Sequence, residues 1–251
     1  MRIGIAGYGR MGQLIHQAAL SRGHEVPVIV DPSGTAPQIT APVFSADLPP
    51  VEVVIDFSKP EAVYENVKRY GQLKTAAVIG TTGWYKDMEK VALISREAEI
   101  GVIWSGNFSL GVNLFFQMVR SAGEIINRFD NYDVAVHETH HRYKADSPSG
   151  TAEMIGHILL NEIERKTRTI SAAATVRPEA DQLLISSMRC GSIPGVHQVI
   201  IDGESDTITL EHSARNREGF AAGAIRAAEW IKERKGFFNI DDMLQTILGG
   251  D

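Results

Sequence analysis

Residues 2–12, Arg2-Ile3-Gly4-Ile5-Ala6-Gly7-Tyr8-Gly9-Arg10-Met11-Gly12, decide the fold of this chain. Arg2 to Ala6 is a short β-branched run that halts at a G-x-G-x-x-G pattern. A helical spacing then begins, with Met11, Leu14, Ile15, Ala18 and Ala19 three and four residues apart. Strand, glycine pattern and helix in that order are the context in which these glycines bind a dinucleotide. Gly7 makes the tight turn, Gly9 lets a pyrophosphate approach the backbone, and Gly12 lets helix pack closely on strand. The helix N-terminus faces the phosphates.

Working outward, the next strand, Glu25 to Val30, ends at Asp31, about twenty residues beyond the glycines. An acid there accepts hydrogen bonds from ribose hydroxyls and favours NAD, while Arg10 in the glycine loop leaves NADPH open. Val51 to Ser58 is a continuous apolar run, as a buried parallel strand requires. Pro60 suits the first turn of a helix that reaches Tyr70. Thr75 to Gly83 is a further strand breaking into Gly80-Thr81-Thr82-Gly83. A helix over Lys86 to Glu97 and a strand over Gly101 to Trp104 follow, ending in Ser105-Gly106-Asn107-Phe108. This alternation predicts an α/β, Rossmann-type doubly wound parallel sheet. Ligands bind at the carboxyl ends of such strands, which places Gly80, Thr81, Thr82, Asn107 and Phe108 along the cofactor crevice.

The second half changes pattern. A helix is expected from Leu110 to about Arg128, with Leu114, Met118, Ala122 and Ile125 on one face. A strand with Val134 and Val136 follows, then a helix opened by Ser149-Gly150-Thr151 with Met154, Ile155, Ile158 and Leu159 inward. Leu183 to Arg189, Gly195 to Ile201 and Thr207 to His212 read as strands, the last two joined by a turn at Asp202 to Asp206. The expectation is an α+β domain with an open, mixed and mostly antiparallel sheet, helices on one face. Helices around Phe220 to Lys235 and Asp241 to Leu248 complete the chain.

The 251 residues are 43% apolar and 22% charged, an ordinary globular balance. A net charge of -6 with no basic stripe gives no support to nucleic-acid binding. No apolar run approaches the roughly 18 residues that span a bilayer, so no membrane is expected. The N-terminal stretch is too short for a signal peptide, and a lone cysteine, Cys190, suits a reducing compartment. Cys190 is expected as a small buried side chain. These features fit a soluble cytoplasmic protein.

Residues 137–141, His-Glu-Thr-His-His, match the zinc-protease pattern H-E-x-x-H. That pattern works on a helix, where residues i and i+4 share a face. Here the preceding residues alternate as a strand, which separates i from i+4 by roughly 13 Å, too far to share a metal with bonds of about 2 Å. No metal is expected. His140 and Lys144 instead form a proton-transfer pair of the kind general acid catalysis needs. His141, Lys144 and the N–H groups of Gly150 and Thr151 at a helix start are donors suited to carboxylates. Two anion sites point to a small-molecule dicarboxylate substrate, and His137 reads as a bystander.

Glu138 to Thr151 fits E-x-H-H-x-x-K-x-D-x-P-S-G-T, and with it the sequence resembles the dihydrodipicolinate reductase family, also called 4-hydroxy-tetrahydrodipicolinate reductases. The likeness runs through GYGRMG, VVIDFS, GTTG, NFSLGVN, RCGSIPGVHQV, EHSARNREGFAAGAIRAAEWI and GFFNIDDML, nearly the whole chain. The resemblance implies reduction of 4-hydroxy-tetrahydrodipicolinate to tetrahydrodipicolinate by NADH or NADPH, in diaminopimelate and lysine biosynthesis. It implies His140 as proton donor or acceptor, Lys144 as proton donor, and His141, Ser149, Gly150 and Thr151 with Lys144 as carboxylate ligands. It implies cofactor contacts from Gly7, Tyr8, Gly9, Arg10, Met11, Asp31, Gly80, Thr81, Thr82, Ser105, Gly106, Asn107 and Phe108. Residues 1–108 would be the dinucleotide-binding domain, joined by C-terminal helices about 217–251. Residues 109–216 would bind substrate and build a homotetramer through the mixed sheets.

Ser105-Gly106 and Ser147 depart from the alanines common in the family, and Asp31-Pro32 lacks the acid–arginine pair that some members use for both cofactors. Two rivals stand beside this reading: a related two-domain amino-acid dehydrogenase and a non-catalytic NAD(H)-sensing protein. The first would not need Lys144 together with Ser149-Gly150-Thr151, and the second would tolerate loss of the proton donors, yet His140 and Lys144 are both present.

Overall fold

The computed structural model describes residues 1–171 and 177–249; residues 172–176 and 250–251, inside the ranges expected for the two domains, lie outside the described residues. The chain divides into two compact units, Met1–Leu110 with Glu218–Asp251, and Gly111–Arg217.

The first unit begins β1 (Arg2–Ala6), α1 (Arg10–Ser21), β2 (Glu25–Val30), β3 (Val53–Asp56), α2 (Val63–Gln72), β4 (Ala76–Ile79), α3 (Met88–Glu97) and β5 (Gly101–Trp104). The second unit carries α4 (Leu110–Ile126), β6 (Asp133–His140), α5 (Gly150–Glu162), β7 (Arg168–Ile170), β8 (Gln182–Arg189), β9 (Val196–Asp202) and β10 (Thr207–Ser213). The chain then returns to the first unit with α6 (Glu218–Ile231), β11 (Gly236–Asn239) and α7 (Ile240–Gly249).

Six parallel strands run in the order β11-β5-β4-β3-β1-β2. One apolar cluster on the sheet gathers Ile3, Ile5, Ile15, Ile55 and Ile225, and a second gathers Val28, Val54, Val67, Tyr70 and Val102. Two buried layers explain why β3 and β4 are buried along their whole length: both faces are covered. The order reverses between β1 and β3, the switch point at which such sheets bind ligands. Sequence reading missed β11, a four-residue edge strand left in the connection between two helices. Gly236 enters it at φ +122°, a conformation that favours glycine, and Phe237 stacks on Trp104 of β5.

The second sheet, β10-β9-β6-β8-β7, is evenly mixed rather than mostly antiparallel. β10–β9 and β9–β6 are antiparallel, while β6–β8 and β8–β7 are parallel, with α5 and the short missed strand β7 lying between β6 and β8 in the chain. Val134, Val136, Leu183, Ile185, Val199 and Ile201 meet the helices on one face. The apolar stripe read from sequence on α4 is not the buried one: Met118 and Ile125 are each 58% exposed, and Val112, Phe115, Val119, Gly123 and Ile126 are buried. Both stripes are apolar, so periodicity does not choose between them. Gly123 does, since a β-carbon there would stand 2.9 Å from that of Glu162 on α5. Met154 is likewise exposed rather than inward, whereas Ile155, Ile158 and Leu159 are buried. Cys190 is exposed rather than buried, on the turn that follows β8.

Candidate functional site

In the first unit the three glycines do three separate jobs. Gly7 has φ +86°, and a β-carbon on it would fall 2.5 Å from the Phe57 carbonyl oxygen. A β-carbon on Gly12 would fall 2.1 Å from the Gly7 carbonyl oxygen, so α1 closes on β1 only with glycine here. Gly9 meets nothing within 4 Å, and as N-cap of α1 it makes no side-chain capping bond. The loop therefore keeps open space before an uncapped helix N-terminus, which fits a dinucleotide pyrophosphate. Tyr8 donates its N–H to Asp31 Oδ2 at 2.8 Å, and the Ser33 N–H reaches Asp31 Oδ1 at 2.9 Å. Burial raises the Asp31 carboxyl, but these N–H groups outweigh it and hold the group below its ordinary value. An ionised acid thus sits at the end of β2 beside the glycine loop. Tyr8, Arg10, Met11 and the glycines share this turn.

Asp56, fully buried at the end of β3, organises the next loop. It accepts from Tyr70 Oη at 2.8 Å, Asn66 Nδ2 at 3.0 Å, the Ser58 N–H at 3.0 Å and Thr81 Oγ1 at 3.3 Å. Thr81 is consequently buried, while Thr82 is exposed and Gly80 packs against the Phe57 ring. Ser105 Oγ is also committed, donating to the Asn107 carbonyl at 2.8 Å and accepting the Asn107 N–H. Gly106 is exposed, and the Phe108 ring is 1% exposed in the core, so only the backbone of Phe108 is available to a ligand.

In the second unit the H-E-x-x-H stretch is strand β6 with its following turn, not a helix. Its buried residues are Val134, Val136, Glu138 and His140, every second position, so Glu138 and His140 face the helices with the valines. His137 is on the other face, its ring nitrogens 2.8 Å from Ser186 Oγ and 3.2 Å from Thr139 Oγ1.

Register brings the remaining groups to Glu138. Ser187 of β8 and His197 of β9 stand directly opposite it, and Arg189 stands opposite His140. Glu138 is fully buried. Its Oε1 accepts from Ser187 Oγ at 2.7 Å, Arg189 Nη2 at 3.0 Å and the Ser149 N–H at 3.1 Å. Its Oε2 is 2.8 Å from His140 Nδ1, a close contact whose angles fall short of hydrogen-bond geometry. Burial works against the Glu138 charge, but these donors and the His140 imidazole overcome it and hold the carboxyl down at about 2. Burial pushes the His140 imidazole below its ordinary value, against the pull of Glu138, and pushes His197 to about 4. Both rings are neutral at pH 7.

Glu138, His140 and His197 offer three ligand-type atoms within 4.8 Å of one another. The three hydrogen bonds to the acid all fall on Oε1, whereas Oε2, His140 Nδ1 and His197 Nδ1 have no hydrogen-bond partner among the described residues.

Ser149, 2% exposed, caps α5 by accepting the Ala152 N–H at 3.2 Å, and its Oγ lies 3.2 Å from His197 Nε2. With its own N–H given to Glu138 and its Oγ engaged by the Ala152 N–H and His197, Ser149 supports the turn. Gly150 and Thr151, the first residues of α5, present the helix N-terminus. Lys144 Nζ donates to both oxygens of Asp146 at 2.8 and 2.9 Å. Lys144, then the Gly150 N–H, hold the Asp146 carboxyl below its usual range. A carboxylate thus already engages the lysine and the helix start. His141 is half-buried, with Nδ1 unpaired among the described residues.

Sequence reading missed Glu138 as a partner of His140, and Arg189, His197 and Asp56 altogether. Alternation from Val134 and Val136 was signal enough to place Glu138 and His140 on one face. Register, which brings Arg189 and His197 there, is not written in any local pattern.

Residues 1–108 match the family described as Dihydrodipicolinate reductase, N-terminus, and residues 111–244 match Dihydrodipicolinate reductase, C-terminus. A 4-hydroxy-tetrahydrodipicolinate reductase of Christiangramia forsetii is 32% identical over 249 residues, 98% of this chain and 99% of that protein. One from Laribacter hongkongensis is 34% identical over 265 residues, 97% of this chain and 98% of that protein. Among solved structures, the dipicolinate-bound dihydrodipicolinate reductase from Paenisporosarcina sp. TG-14 shares the fold with a TM-score of 0.80 at 22% identity, covering 97% of this chain and 99% of that one. The C. glutamicum DAP dehydrogenase in complex with DAP covers 98% of each chain with a TM-score of 0.52 at 16% identity. With both halves matched and relatives above 30% identity along the full length, the chain belongs to the dihydrodipicolinate reductase family.

Proposed function

We propose that this chain reduces 4-hydroxy-tetrahydrodipicolinate to tetrahydrodipicolinate with NADH or NADPH, in diaminopimelate and lysine biosynthesis. The observation that carries the reading is the grouping of His140, Lys144 and the α5 N-terminus, with a carboxylate already held by Lys144. Loss of water from the substrate leaves an unsaturated ring, and its reduction adds a hydride and a proton. The Gly7–Met11 loop, Asp31, Gly80–Thr82 and the backbone of Ser105–Phe108 would hold the dinucleotide, which would supply the hydride.

The chain's own residues handle the proton and the substrate charges. The Lys144 ammonium donates a proton, and neutral His140 exchanges one through Nε2. His141, the N–H groups of Gly150 and Thr151, and Lys144 hold the two carboxylates; Ser149 sets the turn that presents them. Substrate carboxylate meets the same donors that Asp146 now occupies, so binding releases Asp146 from Lys144. Dipicolinate, the molecule named with the Paenisporosarcina protein, is likewise a dicarboxylate.

Among the described residues no helix is long and apolar enough to cross a membrane, and a cytoplasmic enzyme remains our reading. A homotetramer joined through the second unit's sheets is supported by that sheet's other face. It carries Leu184 and Ile200 half-buried and Met188 51% exposed.

The test is the loss of NADH or NADPH absorbance with purified protein, substrate being generated from pyruvate and aspartate semialdehyde by the preceding synthase. Oxidation that depends on the synthase is expected. Cofactor binding without any such oxidation would favour the sensor or the related dehydrogenase.

A further inference from the structure

We propose that Glu138 is the positioning residue of the site: one buried carboxylate fixes the proton position on His140 and, through its other oxygen, the turn that opens α5. The inference rests on the reading of His140 as a proton-transfer group.

Its two oxygens divide the work. Oε2 lies 2.8 Å from His140 Nδ1. The angles fall short of hydrogen-bond geometry, but at that distance a lone pair on Nδ1 would lie beside an anion, so Glu138 favours the hydrogen on Nδ1 and the lone pair of the neutral ring on Nε2. Nε2 points over Gly195, where a β-carbon would intrude to 2.9 Å, so glycine there keeps the working nitrogen clear. Oε1 takes the N–H of Ser149, the N-cap of α5, at 3.1 Å. Ser187 and Arg189 bind the same oxygen and keep the charge in place although the group is fully buried. His197 closes the network from β9, its ring 5.0 Å from that of His140 and its Nε2 3.2 Å from Ser149 Oγ.

The charged or titratable groups facing His140 are Glu138 on its own strand, Lys144 beyond it, Arg189 on β8 and His197 on β9. Only Glu138 is an anion. In Glu138→Gln the amide oxygen can still accept from Ser149, Ser187 and Arg189, but its NH2 faces His140 Nδ1. That reversal moves the ring hydrogen to Nε2, and a correct fold then presents the wrong tautomer.

The experiment compares Glu138→Gln, His140→Gln and the double variant in the full chain with wild type. Nitrogen-15 NMR of the imidazoles reads the tautomer directly. We expect Nδ1–H on His140 in wild type and Nε2–H in Glu138→Gln. We expect kcat to fall roughly 100-fold or more with NADH affinity and substrate KM within a few-fold. The pH–rate limb belonging to His140 should move to lower pH, and the double variant should be no slower than His140→Gln. Nε2–H on His140 in wild type would overturn the proposal whatever the activity shows. So would full additivity of the two substitutions, because a merely structural acid costs the same with or without His140. A His140→Gln enzyme with normal turnover would instead remove the proton-transfer reading, while the NMR result still judges whether Glu138 sets the ring.

Discussion

Gly7, Gly9 and Gly12 meet within one turn, whereas Glu138, His140, Ser187, Arg189 and His197 meet across three strands. The glycine turn is assembled by neighbours in sequence and acts through backbone: an open N-terminus, a close helix and no side-chain cap. The histidine strand is assembled by register and acts through side chains, with a buried charge that must be satisfied by residues remote in the chain. A turn of the first kind is robust to changes elsewhere and intolerant of a single methyl. A network of the second kind responds to pH, because hydrogen-bond donors have lowered the titration of Glu138 and burial has lowered that of His197.

That difference predicts a pH signature for the second unit. His197 titrates near 4 in the folded protein, below the ordinary 6.5. Above pH 6.5 it is neutral folded or unfolded, and its burial costs nothing. Below 6.5 the unfolded chain takes up the proton first, so stability is lost progressively down to about pH 4. The difference amounts to about 3 kcal/mol. Urea unfolding of wild type and His197→Gln at several pH values should show the variant with a flatter profile over that interval. Parallel profiles would mean the ring is not held neutral by burial.

The glycine turn breaks differently. Gly12→Ala drives a methyl into the Gly7 carbonyl and should lower stability by about 2–3 kcal/mol at any pH. Gly9→Ala, with nothing near its β-carbon, should keep the melting temperature and weaken NADH binding. Equal melting temperatures for the two variants would refute this division of labour. A smaller effect belongs to Asp31, whose charge lies beside the same turn. Asp31→Asn should shift the ratio of NADPH to NADH affinity roughly tenfold toward NADPH, measured by fluorescence titration; an unchanged ratio would assign preference elsewhere. Prolonged chelation should have no effect on turnover, and activity lost to chelator but restored by zinc would contradict a metal-free role for Glu138, His140 and His197.

The sequence was legible where function is local. Gly7 to Gly12 announced strand, turn and helix because each glycine answers a steric need between near neighbours. β5 and β6 could be read from short apolar runs, one continuous and one alternating. The inward face of α4 could not be read from its period, since two apolar stripes compete and only the contact at Gly123 separates them. β11 was hidden because an edge strand of four residues has too few side chains to show a period. In the candidate site, His140, Lys144 and the α5 start were visible as residue types. The fates of Ser149, Asp146 and Phe108 depend on tertiary partners: Glu138 and His197 for the first, Lys144 for the second, the core for the third.

The central claim, that the second unit's strand-and-turn site supplies the proton while the first unit holds the dinucleotide, is tested most directly by Lys144→Ala. The measurement is turnover in the coupled reductase assay beside NADH affinity on the same preparation. We predict a loss of about 10²–10⁴-fold in kcat with the NADH dissociation constant unchanged. Near-normal turnover would contradict the account and remove Lys144 from the chemistry.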